Sequence, residues 1–281
     1  MKRILISLLL LSASPLAAQT LYFSAIPDDD ETRLTERFGA VADYLSTELG
    51  VEVEYVPVKS YAAAVTAFTN DQIQLGWFGG LSGVQARIAV PDSRAIAQGD
   101  EDQTFVTYFI ANTETGLTQS DAFPDLAGRR FTFGAETSTS GRLMPEFHIR
   151  EETGQAPTDL FSEVGYSGDH GQTLRLVASG AFEVGALNYT VYDTAVAEGA
   201  AEVETAKVIW QTPPYPDYNW TIRGDVDARF GEGFGDRVQA ALIGMDDPAL
   251  LDLFPRKALI VADDAMYQPI VDVARELDLI D

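Results

Sequence analysis

Cysteine does not occur in the 281 residues. Its absence rules out a disulfide framework, a thiolate metal site, a cysteine nucleophile and a lipid-modified cysteine. Histidine is almost as scarce, with only His148 and His170; no H-E-x-x-H pair or histidine cluster is present to hold zinc. A G-x-S-x-G nucleophile elbow is also missing, because the near match GGLSGV at residues 79–84 has the wrong spacing. Positive charge is short as well. Against 43 Asp and Glu stand 19 Lys and Arg, for a formal net charge of −24. A surface of that sign repels nucleic acid and anionic lipid, so neither is expected as a partner. Beyond the first 18 residues no apolar run approaches a membrane span, which needs about 18 or more.

What is present begins with an export signal. In MKRILISLLLLSASPLAAQT, Lys2 and Arg3 form a basic start, Ile4–Leu11 an apolar stretch, and Leu16-Ala17-Ala18 a small-residue cleavage site. This predicts a signal peptide over 1–18, a mature chain of 263 residues and a net charge of −26 once the two cations are removed. The expected compartment is the periplasm, for a soluble chain that is not a lipoprotein. A protein exported without disulfides needs a core large enough to stand alone, and this length allows one large or two medium domains.

Strand-like and helix-like segments then alternate. LYFSAI at 21–26 reads as a strand, and Leu34, Phe38, Val41, Ala42 and Leu45 mark a helix closed by Gly50. The acidic run Asp28–Glu31 before it lacks the glycine and distal glutamate of a calcium loop and suits a helix start. Strands follow at VEVEYVPV, IQLGWFGG, TFVTYFIAN, RFTFG, FEVGALNY and the segment from Ala206 to Arg223 that three prolines interrupt, with helices between them and a mostly helical tail over 231–281. The expectation is an α/β protein of two lobes, each a mixed, mostly parallel sheet flanked by helices.

One turn stands out. In FTFGAETSTSGRLMPEF, residues 131–147, a strand ends at Gly134 and four hydroxyls, Thr137 to Ser140, precede the helix that follows Gly141. One of them suffices for an N-cap. Four also suit a cradle for an anion at the helix start. The chain's acidity opposes an anion only at long range, since charge is largely screened beyond ~8 Å at physiological salt. Among the histidines, His148 sits mid-helix beside Phe147 and reads as structural. His170 beside Asp169 leaves a Ser-His-Asp hydrolase open, although nothing marks its serine.

With residues 59–86, 131–147, 168–193 and 208–220 in this order and spacing, the chain resembles the phosphate/phosphite/phosphonate-type solute-binding proteins of ABC importers. It also looks like a close subgroup labelled selenate binders. The carrying motifs are S-T-S-G followed by Leu-Met-Pro, and the Trp77-Phe78-Gly79-Gly80-Leu81-Ser82 block. The resemblance implies a type II-like periplasmic-binding fold with two hinge strands, Thr104–Ala111 and Val208–Thr212. Lobe one would be 19–108 plus 211–281, and lobe two 109–210. It implies a non-catalytic monomer without cofactor or metal that delivers a small tetrahedral oxyanion (phosphate, phosphite or an unaminated phosphonate) to a membrane permease. A selenate or sulfate binder, a sensor subunit and the hydrolase are the competing readings.

The residues that the resemblance places at the ligand are Tyr61, Ser138, Thr139, Ser140 and His170; Gly141 joins them as a position where glycine lets the backbone approach an anion closely. Asp169, Asp217, Tyr218, Arg142 and Trp77 complete the candidate set. Two carboxylates that hold the ammonium of aminoalkylphosphonates in some members fall here at Thr190 and at Tyr218 or Asp217, which argues against an aminated ligand. A second family aromatic appears as Phe105. A ligand that keeps a proton at neutral pH needs an acceptor, for which Asp217, Asp169 and neutral His170 are the candidates. Selenate or sulfate would want donors alone.

Overall fold

The computed structural model describes residues 19–254 and 256–281; the expected signal peptide lies outside the described residues. Eleven strands are described: β1 (Leu21–Ala25), β2 (Val53–Tyr55), β3 (Leu75–Phe78), β4 (Arg94–Gly99), β5 (Thr107–Asn112), β6 (Arg130–Phe133), β7 (Glu163–Tyr166), β8 (Val184–Asn188), β9 (Ala206–Gln211), β10 (Asn219–Ile222) and β11 (Leu259–Val261). They form a six-stranded sheet in the order β11-β4-β10-β3-β1-β2 and a five-stranded sheet in the order β7-β6-β8-β5-β9. Four strands in each run the same way. β10 and the edge strand β11 oppose them in the first sheet, and β5 opposes them in the second. This is the two-lobed, mixed and mostly parallel α/β arrangement expected.

The chain leaves the first sheet after β4 and returns after β9. The two connectors bond to each other: Phe105 and Tyr215 exchange backbone hydrogen bonds of 2.9 Å each way, and Thr212 N–H donates to Thr107 O at 3.1 Å. Paired extended segments of this kind allow a few residues to absorb a domain rotation.

Apolar periodicity accounts for the helices that cover the sheets. Helix Glu31–Leu49 buries Leu34, Phe38, Val41, Ala42 and Leu45, the stripe read from the sequence, and stops at Gly50 in the left-handed region (φ 68°). Its acidic start divides into separate roles. Asp30 caps the helix by accepting from Thr32 N–H at 2.9 Å, whereas Asp28 is buried. The tail holds the expected helices at Phe234–Ile243, Pro248–Leu253 and Gln268–Glu276, and also β11, which was not expected. Three apolar residues in a row carry no period that separates strand from helix.

Helices start at Tyr61, Gly80, Tyr189 and His170 just beyond the carboxyl ends of β2, β3, β8 and β7, and the hydroxyl turn follows β6. Open α/β sheets bind ligands outside the carboxyl ends of their strands. Here the two sets of ends face each other.

Candidate functional site

β3 delivers its chain end into Gly79 and Gly80. Gly80 N–H donates to Asp217 Oδ1 at 2.8 Å, and Leu81 N–H donates to Thr139 Oγ1 at 2.9 Å. The close approach requires glycine: a Cβ on Gly79 would lie 3.1 Å from Asp217 Oδ1 and 3.2 Å from Thr139 Oγ1. Thr139 also lies beside the Asp217 carboxyl and lowers its pKa. One threonine hydroxyl therefore accepts from the first lobe's helix start and faces the first lobe's aspartate.

Opposite stands the hydroxyl turn. A π-helical turn, Thr139–Leu143, runs into helix Met144–Thr153. Ser138 caps it, accepting from Gly141 N–H at 2.9 Å, which leaves the serine proton free to reach the Tyr61 hydroxyl. Gly141 O accepts from Gly134 N–H at 2.8 Å. A Cβ on Gly141 would stand 3.0 Å from Gly134 Cα, 3.0 Å from Ser138 Oγ and 3.1 Å from His170 Cε1. Ser140 accepts through its carbonyl from Thr107 Oγ1 at 2.9 Å, and Thr107 Oγ1 is in turn hydrogen-bonded to the Tyr215 hydroxyl at 2.5 Å. Capping and bonding across the lobes are thus different jobs of neighbouring hydroxyls. The first amides of the turn, those of Thr139 and Ser140, have no intrahelical acceptor.

Asp169 caps helix His170–Ala178, accepting from Gln172 N–H at 2.6 Å, which places His170 at the helix start. His170 Nδ1 accepts from Asn188 N–H at 3.2 Å, and Nε2 lies 3.4 Å from Tyr61 Oη. Burial pulls the His170 pKa down to about 4. The imidazole is therefore neutral at pH 7 with its proton on Nε2, a donor rather than an acceptor. Tyr61 is fully buried and neutral, its hydroxyl pKa raised by desolvation.

Asp217 is the exception among these neutral groups. Desolvation raises its pKa to about 7, against the bond from Gly80 and the nearby Thr139 hydroxyl, which lower it. Its Oδ2 is buried without a partner among the described residues. Next to it Tyr218 accepts from Asn188 Nδ2 at 3.0 Å across the lobes and stacks on Trp77 at 5.4 Å.

Tyr61, Ser138, Thr139, Ser140, Gly141, His170, Asp217 and Tyr218 come together at the closed interface. Asp169 supports His170 by its cap. Trp77 lies in the first lobe's aromatic core against Trp220 and Phe254, at 5.3 and 5.4 Å, and reaches the interface through Tyr218. Arg142 is not brought in: it pairs with Glu146, donates to Tyr166 Oη at 3.0 Å and lies over the Phe133 ring at 4.8 Å. His148 is structural as expected, buried against Trp210, with burial pulling its pKa to about 4. Sequence reading missed Asn188, Thr107 and Tyr215 as members of the interface. Asn188 did carry a signal, an N-cap asparagine that closes a strand, where its Oδ1 accepts from Thr190 N–H at 2.7 Å.

Thr139→Val tests the latch. It keeps the shape but leaves Leu81 N–H without its acceptor across the lobes. We expect ligand affinity to fall about ten- to a hundredfold and the unliganded protein to scatter X-rays as a more open particle. Unchanged affinity would show that the bridge does not help closure.

Two α/β lobes hinged by paired connectors, with neutral donors meeting in the cleft, define a solute-binding receptor. The family model described as ABC transporter, phosphonate, periplasmic substrate-binding protein matches residues 23–267. The chain belongs to that family. It is 38% identical over 270 residues, 93% of this chain and 91% of the relative, to the probable ABC transporter phosphite binding protein PhnD1 of Prochlorococcus marinus (strain MIT 9301). The crystal structure of PhnD1 from the same organism in complex with methylphosphonate superposes with a TM-score of 0.88, at 39% identity over 93% of this chain and 99% of that one. The phosphate-import protein PhnD of Mycolicibacterium smegmatis is 22% identical over 204 residues, 69% of this chain and 63% of that protein.

Proposed function

We propose that this chain is the periplasmic receptor of an ABC importer for a small oxyanion that carries one exchangeable proton: phosphite, methylphosphonate or phosphate. The carrying observation is Asp217, a buried carboxyl with an unpartnered Oδ2 and a pKa of about 7, beside a cluster of neutral donors. In the reading, the Thr139 and Ser140 amides, the Ser138 hydroxyl, Tyr61 and His170 Nε2–H donate to the anion, and Asp217 shares its proton. Gly141 lets the turn approach. Selenate and sulfate keep no proton at neutral pH and leave Asp217 unmatched. An ammonium group finds no carboxylate at Thr190, whose hydroxyl donates to Asn188 Oδ1 at 2.8 Å.

The lobes in this reading are 19–108 plus 211–281 and 109–210, rotating on the paired connectors. The chain acts as a monomer and catalyses nothing. Among the described residues no helix is long and apolar enough to cross a membrane, and no group of three or more His, Asp or Glu is placed to hold a metal. The likeness to PhnD1 supports the ligand class. Incubation with generic phosphate and carboxyl esters should give no turnover, and calorimetry with phosphite and methylphosphonate should show binding. Hydrolysis abolished by changing His170 would replace the receptor with an enzyme.

A further inference from the structure

Asp28 is a buried acid that the site as described does not use. It follows β1, is 5% exposed, and its Oδ1 has no partner among the described residues. The Tyr218 hydroxyl lies within hydrogen-bonding reach of its carboxyl. Asp28 lines a chamber of about 430 Å³ between the lobes. The first lobe contributes Asp28, Arg37, Trp77, Tyr218 and Arg256 to the walls, and the second contributes Asn188 and the helix beyond it. Because second-lobe residues close that chamber, opening the lobes would wet Asp28.

The Tyr218 hydroxyl has a single proton. When Asp28 is ionised, its carboxylate takes that proton, and Tyr218 Oη can only accept, as it does from Asn188 Nδ2 at 3.0 Å. When Asp28 is protonated, its own O–H can donate to Tyr218 Oη, and the tyrosine proton turns to any acceptor in the cleft. Resting on the reading that the oxyanion lies beside Tyr218, we propose that Asp28 is a positioning residue: it takes a proton from solvent as the lobes close, and so frees the Tyr218 hydroxyl to donate to the anion.

The surroundings favour this. Desolvation is the largest influence on Asp28 and raises its pKa, outweighing the lowering by Arg37, from helix Glu31–Leu49, and by Arg256, from the C-terminal segment. Its charge helps to raise the pKa of its neighbour Asp29, and Tyr55 and Tyr61 face it as neutral hydroxyls whose own pKa values it also helps to raise. Arg33 and Arg175, which also line the chamber, are held by Glu198 at 2.8 Å and by Asp169 at 4.0 Å. The sign follows: if closure raises the pKa of Asp28, anion binding takes up a proton, and affinity falls as pH rises through the closed-state value.

The test is calorimetry with phosphite and methylphosphonate across pH 5–9, in paired buffers of different ionisation enthalpy, so that protons taken up per anion are counted. The wild-type chain should take up protons, and Asp28→Asn, which mimics the protonated acid, should take up fewer and show a flatter pH profile. Tyr218→Phe should lose about tenfold in affinity at acid pH and little at alkaline pH. Equal proton uptake by Asp28→Asn and wild type, or a uniform loss in Tyr218→Phe at every pH, would overturn the assignment. Failure of the wild type to bind either anion would instead remove the proposed function on which the assignment rests.

Discussion

A Gly141→Val protein should bind methylphosphonate about a hundredfold or more weakly than the parent, a loss of ~2.7 kcal/mol or more. The cause is geometric. The turn holding the hydroxyls lies so near its own strand end that a Cβ would meet Gly134 Cα, Ser138 Oγ and His170 Cε1 within 3.0–3.1 Å. Two of the three are backbone or cap atoms that cannot step aside without moving the open amides, and the third belongs to the imidazole facing Tyr61. Overpacking of this kind costs stability about 1–3 kcal/mol, so the variant should fold but melt lower. Gly134→Ala should repeat the effect more mildly, since its Cβ would meet Gly141 Cα at 3.1 Å. Near-normal affinity for Gly141→Val would mean that the anion does not use this turn.

Asp217→Asn should produce the second large effect, as a change in pH dependence. Burial lifts the folded-state pKa from 3.8 to about 7, so the folded protein keeps a proton that the unfolded chain gives up. Asp217's contribution to stability is therefore full below pH ~4 and is lost as pH rises through 7, on the order of 4 kcal/mol in all. The asparagine variant should escape that loss and melt above the parent at pH 8 without ligand. His148 and His170, with pKa values near 4, act with opposite sign below pH ~6.5, so variant and parent must be compared at each pH. For binding, unprotonated sulfate should lose about tenfold per pH unit above 7 against the ionised carboxylate, and Asp217→Asn should abolish that slope. A parent protein that holds sulfate equally from pH 6 to 9 would refute the role given to Asp217.

The fold was readable because its signals are periodic. Leu34, Phe38, Val41, Ala42 and Leu45 repeat at helical spacing and Gly50 ends the helix, and each is where the pattern put it. β11 was hidden because Leu259-Ile260-Val261 is too short to show any period and pairs with β4, some 160 residues earlier in the chain. The site was legible as a place and less so as a mechanism. S-T-S-G marks the turn, but that Thr139 bonds across the lobes while Ser138 caps depends on Leu81 and Asp217, which are distant in the chain. Arg142 follows the motif and nevertheless turns to Glu146 and Tyr166. Sequence order says nothing about which way a side chain leaves a π-helical turn. The acidic run before helix Glu31–Leu49 looked uniform, and only tertiary burial separates Asp28 from Asp30.

The central claim is that the cleft holds an oxyanion bearing one exchangeable proton. Titration calorimetry of the purified chain at pH 7.5 against phosphite, methylphosphonate, phosphate, sulfate, selenate and 2-aminoethylphosphonate tests it most directly. The account predicts tight binding of one or more of the first three, with sulfate and selenate weaker and falling further behind as pH rises, and no advantage for the aminated ligand. Tighter binding of selenate or sulfate, or a preference for 2-aminoethylphosphonate, would contradict it.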